Sequence, residues 1–199
     1  MSQEGSAEVP AEFRAALDSL RDHRVRPEVH LTEVPAPARI APYAVALSGE
    51  LPASHGGPFD GLDGPTDLAT GRFVCLHDPA GQEAWDGTFR LVTLVRAHLD
   101  AELGNDPLLA EVAWSWLLDS LAAEGASARA LSGTVTRVLS QSFGSLAGHP
   151  DDVEVEIRAS WTPAGCDLGP HVRAWAALLC TSAGMSPLPE GVTALGLRR

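Results

Sequence analysis

Between positions 77 and 90 the chain gathers His77, Asp78, Gln82, Glu83, Trp85, Asp86 and Arg90. These side chains include groups that can take or give a proton, a guanidinium that can bind an anion, and an aromatic platform. Asp78-Pro-Ala-Gly81 has turn chemistry, so a strand over 72–77 and another over 88–98 are predicted to form a hairpin. That hairpin would bring His77, Asp78, Glu83, Trp85, Asp86 and Arg90 together as a ligand-binding turn beneath a long Gly-, Pro- and Asp-rich loop over 49–71. The competing reading is a plain turn with a packed tryptophan, and the low base rate of sites among polar turns favours it.

Other motifs fall short of a catalytic constellation. Gly144-Ser-Leu-Ala-Gly148 has the outline of a nucleophile elbow, but its central residue is Leu146 where serine is required. No glycine-rich stretch ends in Lys and Ser or Thr, so the phosphate-cradling loop of a nucleotide site is missing. The seven histidines are scattered, and none pairs with another at helical i, i+4 spacing. Asp60, Asp63 and Asp67 lack the alternating ligands and terminal Glu of a calcium loop. All fourteen basic residues are Arg, in keeping with a GC-rich coding bias, so a lysine nucleophile or Schiff base is excluded. No catalytic residue, metal ligand or cofactor is assigned, and the sequence favours a non-enzyme.

The elements that must position these groups follow from periodicity. Phe13, Ala16, Leu17 and Leu20 recur at helical spacing over 8–22, and Pro10 suits a first turn. Short strands are predicted over 29–34 and 43–48, with Pro35, Pro37 and Pro42 marking them as edge strands. The clearest helix follows Asp106 and Pro107, presents Leu109, Val112, Ala113, Trp116, Leu117 and Leu121, and stops at Gly125. Trp114 sits about 200° around the axis from Trp116. It therefore needs a second environment, either packing or, with Leu118, a partner-facing interface. Strands over 130–143 and 153–161 come next. In the second, Val153, Val155, Ile157, Ala159 and Trp161 alternate with Glu154, Glu156, Arg158 and Ser160. A last helix over 170–182 buries Val172, Trp175 and Leu179. Strand-strand-helix thus occurs twice, and 112–118 faintly echoes 172–178.

Consecutive antiparallel strands with helices on one side predict a two-layer α+β fold. At 199 residues the chain is expected to form one domain over 8–184, with loosely packed ends at 1–7 and 185–199. The apolar runs are too short for a transmembrane helix, and the acidic N-terminal stretch fits neither a secretory signal nor a transit peptide. Cys75, Cys166 and Cys180 form an odd, widely spaced set, as expected of reduced thiols in the cytoplasm. A net charge of −12 and a pI near 4.9 argue against direct binding to nucleic acid, whose phosphates need a basic face.

The segments Gly71-Arg-Phe-Val-Cys-Leu-His-Asp-Pro79, Glu111-Val-Ala-Trp-Ser-Trp-Leu117 and Ile157-Arg-Ala-Ser-Trp-Thr-Pro163 resemble an actinobacterial family, domain of unknown function 3000. The resemblance covers roughly residues 10–190 and implies no activity or site. Its gene neighbourhood implies an accessory role in RNA metabolism, which the acidic charge disfavours. The element order is also similar to the secretion-chaperone-like fold, whose members dimerise and bind segments of other proteins. The favoured expectation is a non-catalytic cytoplasmic interaction or assembly module, homodimeric or bound to a protein partner. A small enzyme or ligand-binding protein using the 77–90 turn stands as the alternative.

Overall fold

Alternation of apolar and polar residues dominates the chain, and it produces a six-stranded antiparallel sheet with one covered face. The computed structural model describes residues 9–22, 24–53, 67–99, 101–104, 106–148 and 151–185. In chain order these form α1 (Ala11–Asp22), β1 (His30–Val34), β2 (Tyr43–Pro52), β3 (Asp67–Gln82), β4 (Gly87–Leu99), α2 (Ala101–Gly104), α3 (Leu109–Ala123), β5 (Ala128–Ser140), β6 (Asp152–Pro163) and α4 (Gly169–Ser182). The strand order is β1-β2-β3-β4-β6-β5, antiparallel throughout. The result is the α+β class expected. The short helix α2 lies outside the predicted order; of the predicted end segments 1–7 and 185–199, all but Met185, which packs against the core, lie outside the described residues.

Every second residue of the central strands enters the core. Phe73 and Cys75 on β3, Leu91 and Val95 on β4, and Val155, Ile157 and Trp161 on β6 are almost wholly buried beneath the helices. α4 is apolar nearly all round because it lies on β3 and β4 with α1 and α3 beside it. Arg173 on α4 holds Glu124 at 2.6 Å, tying the end of α3 to α4. α3 ends as the sequence predicts. Gly125 takes φ +64°, and the Ala126 N–H returns to the Leu121 carbonyl, a glycine-terminated helix end. Asp106 acts two residues before the cap, accepting the Leu108 N–H at 2.8 Å.

The two strand-strand-helix units are arranged symmetrically about the β4–β6 pair, each with its first strand outside and its second inside. Each helix packs on the other unit's strands, α3 against β5 and α4 against β3 and β4. Glycines seat the tryptophans at these crossings. A Cβ at Gly133 on β5 would strike the Arg158 carbonyl and come within 2.7 Å of the Trp114 ring. One at Gly49 or Gly71 would meet Trp175 at 2.7 or 3.0 Å.

Several expectations are corrected. β2 is not an edge strand; it pairs with β1 and β3. Its prolines sit just before it and at its last position, beside a register shift, and so remove no interior ladder bond. The stretch 49–71 is not one loop, because β2 runs on to Pro52 and β3 begins at Asp67; positions 54–66, including Asp60 and Asp63, lie outside the described residues. Asp78–Gly81 is not the hairpin turn. The strand continues irregularly to Gln82, and the reversal is a 3₁₀ turn over Glu83–Trp85 followed by Asp86 at φ +54°. On α3, Trp116 is half-buried and Val112 is exposed, while Ala113 and Leu117 are the residues sealed in the core.

Candidate functional site

The helices cover one face of the sheet; on the second, Trp85 with Val34, Ala36 and Ala41 seals Ala46, Val74 and Leu76, and sheet register determines what the remainder presents. One row across the strands reads Thr32, Ser48, Arg72, Leu94, Arg158 and Thr134. The next reads Val34, Ala46, Val74, Val92, Ser160 and Ser132. A shallow trough of about 580 Å³ lies over these two rows, floored by Val74, Val92 and Leu94 with Arg72 and Arg158 at its sides. Neither row contains a carboxylate, on a chain whose net charge is −12. Beyond the trough, Glu156 is shared by Arg96 at 2.6 Å and Arg158 at 2.7 Å. Its carboxyl is mostly sealed, and although burial works against ionisation, the two guanidiniums hold its pKa below the usual range.

Arg90 anchors one end of the trough. Only 9% exposed, it donates from Nη1 to the Ala130 carbonyl at 3.0 Å and the Thr162 hydroxyl at 3.3 Å. From Nη2 it donates to the Ser160 hydroxyl at 2.7 Å, the Ser160 carbonyl at 3.2 Å and the Ser132 hydroxyl at 3.4 Å. All these acceptors are neutral, and burial lowers the guanidinium pKa. The Ala130 carbonyl is reached because β5 bulges between Arg129 and Ser132, with Ala130 at φ +48°. Thr162 completes the network by donating its hydroxyl to the Trp85 carbonyl. Arg90 therefore stitches β4 to β6 and to the edge strand β5.

The six residues predicted as a ligand site do not converge. His77 faces the helices, stacked between Phe89 at 4.2 Å and Phe13 at 5.8 Å between ring centroids. Its Nδ1 donates to the Thr88 carbonyl at 3.1 Å, and its buried Nε2 has no partner. Arg90 and Trp85 lie on the opposite face, Trp85 packing with Ala46, Val74 and Leu76. Asp78 binds the Ala80 N–H and the Gln82 amide within its own turn; Glu83 is exposed; Asp86 pairs with Arg129 at 3.0 Å on the surface. The described ends of the 49–71 stretch, Pro52 and Asp67, pair at the start of β3, the far end of that 16-residue strand from this turn, roughly 50 Å at ~3.3 Å per residue. Of the two residues predicted for an interface, Trp114 is half-buried over Gly133, and Leu118, one helical turn on, is 42% exposed.

Arg72, Ser132 and Thr134 escaped prediction as site residues. The available signal was the even-numbered parity of β3 and β4, where arginine alternates with aliphatic residues on the face away from the core. The Ser132 and Ser160 hydroxyls sit beside a guanidinium, which cannot accept the proton a nucleophile must lose. Among the described residues no three His, Cys, Asp or Glu side chains gather in metal-ligating geometry, and no helix is long and apolar enough to cross a membrane. The three cysteines are free. A family model described as "Protein of unknown function (DUF3000)" matches residues 9–193. No curated protein and no solved structure matches the chain.

Proposed function

We propose that this chain, which belongs to the DUF3000 family of proteins of unknown function, is a non-catalytic cytoplasmic interaction module that pairs with a second copy of itself along β5. The observation that carries this reading is the edge. Among the described residues β5, 13 residues long, pairs on one side only, with β6, so its outer N–H and C=O groups can accept another strand. Beside it stand exposed apolar side chains, Val138 at 46%, Leu139 at 44% and Leu118 on α3 at 42%. Soluble proteins usually blunt such an edge with charge, proline or a cover.

Charge supports a second copy as the occupant. Two chains of −12 each repel unless they meet through neutral surface, and Leu131–Thr136 at the middle of β5 carries no charge. An antiparallel two-fold centred on Thr134 would set Arg137 opposite Leu131 and Arg129 opposite Leu139, so no like charges meet. The three free cysteines fit a reducing compartment.

Sedimentation velocity across a concentration series tests the proposal. The native protein is expected to be dimeric at micromolar concentration. Leu118→Glu and Val138→Glu, both at exposed positions and so nearly silent for folding, should each weaken the dimer by about tenfold or more, equivalent to ~1.4 kcal/mol. A native protein that stays monomeric at the highest concentrations, or variants that dimerise unchanged, would overturn it.

A further inference from the structure

The open face poses a question separate from the β5 edge. Arg72 on β3 and Arg158 on β6 stand in one row on either side of Leu94 on β4. Two strand spacings of about 4.8 Å place their backbones ~10 Å apart. That separation matches the 10–12 Å width of an α-helix with its side chains. Between them β4 presents Leu94 and Val92, the latter 38% exposed, and beside these on β3 lies Val74, 8% exposed and packed against Trp85. The arrangement is an apolar strip one helix wide, flanked by guanidiniums.

We infer that this face docks an amphipathic helix from a partner protein, one whose apolar stripe is flanked on both sides by Asp or Glu. A sheet with an apolar strip on its second face is normally completed by a helix laid over it. Charge selects the acidic kind. Among the described residues Arg72 forms no ion pair, Arg158 shares its one carboxylate with Arg96, and the two central rows offer no negative group. Arginine's planar fork suits paired contacts with carboxylates along the helix flanks. The trough's shape argues against a small molecule, because an enclosed pocket is needed to bury most of a small ligand and this depression is open. The rest of the chain, strongly acidic, would repel the same partner, so recognition is confined to this face.

The test uses the full chain and two synthetic helical peptides with the same Leu and Val stripe, one flanked by Glu and the other by Arg, followed by fluorescence anisotropy. The Glu-flanked peptide should bind with an affinity that falls as salt rises. The double variant Arg72→Gln/Arg158→Gln should weaken it roughly tenfold, and Val92→Glu should abolish it, with thermal melts confirming that both variants fold. Leu118→Glu should leave it unchanged, which separates this face from the dimer edge. The inference fails if the Arg-flanked peptide binds equally well, if the double variant binds like the native chain, or if a single-stranded oligonucleotide competes the Glu-flanked peptide away. Burial of this face by a second copy would also overturn it, seen as self-association lost on Val92→Glu.

Discussion

Trp175→Ala is expected to lower the unfolding free energy by about 3–5 kcal/mol, the range for deleting a large aromatic side chain from a packed core. Trp175 is 1% exposed, packs on Phe73 with 5.6 Å between ring centroids, and donates its indole N–H to the Leu94 carbonyl at 3.3 Å. The ring fits because Gly49 and Gly71 pair directly across β2 and β3, leaving a dent in the sheet beneath it. Filling that dent should also cost stability, though less than emptying the site. At Gly49 a new Cβ would meet only side chains, Trp175 Cη2 at 2.7 Å and Leu179 Cδ1 at 3.0 Å. Gly49→Ala should therefore destabilise by about 1–3 kcal/mol in the native background and by much less in the Trp175→Ala background. Gly71→Ala should stay costly in both, because its Cβ would also stand 2.6 Å from the Leu94 backbone carbonyl, which cannot swing away. Urea unfolding of the three single and two double variants completes both cycles. Additive costs for Gly49→Ala and Trp175→Ala would show that the glycine is not there for the indole.

Much of this fold is legible as period and punctuation. The alternation of 153–161 is the buried-outward pattern of β6, and Gly125 ends α3 where the sequence places the stop. The two strand-strand-helix units are visible as a faint echo between 112–118 and 172–178. What the sequence hides is pairing. Nothing local in β5 and β6 says that the later strand inserts beside β4 and leaves the earlier one at the edge. The 77–90 cluster scatters because nearness in sequence does not fix the side of a sheet on which a residue falls. His77 is registered opposite Phe89, so Arg90, one residue on, faces away. The irregular stretch between His77 and Gln82 made that register unreadable from the turn alone. The trough was obscured similarly, since Arg72, Leu94 and Arg158 are separated by tens of residues and meet only through two strand pairings.

The buried pair Trp161–His171 should make the protein lose stability in mild acid. Trp161 donates its indole N–H to His171 Nδ1 at 3.0 Å, so this nitrogen must be an acceptor and the imidazole neutral. Burial pushes the His171 pKa down from 6.5 to about 4, with nearby Asp167 opposing the shift only in part. Between those values the unfolded chain holds a proton that the folded chain refuses. Stability therefore rises with pH across that window, is fully present above about 6.5, and is lost as the pH falls towards 4. The full window is worth ~3 kcal/mol, about 2 of it between pH 7 and 5. The carboxylates whose pKa values are lowered, Glu28 and Glu156, lose their contribution only as the pH falls below their ordinary value of 4.5, so the span from 6.5 to 4.5 is separable from theirs. His171→Asn keeps an acceptor oxygen near the Nδ1 position while removing the titration. Its unfolding free energy should be lower than the native value at pH 7 and should vary much less between pH 7 and 5. A variant that keeps the native slope would place the proton uptake on another group and leave the Trp161 hydrogen bond without a part in the acid response.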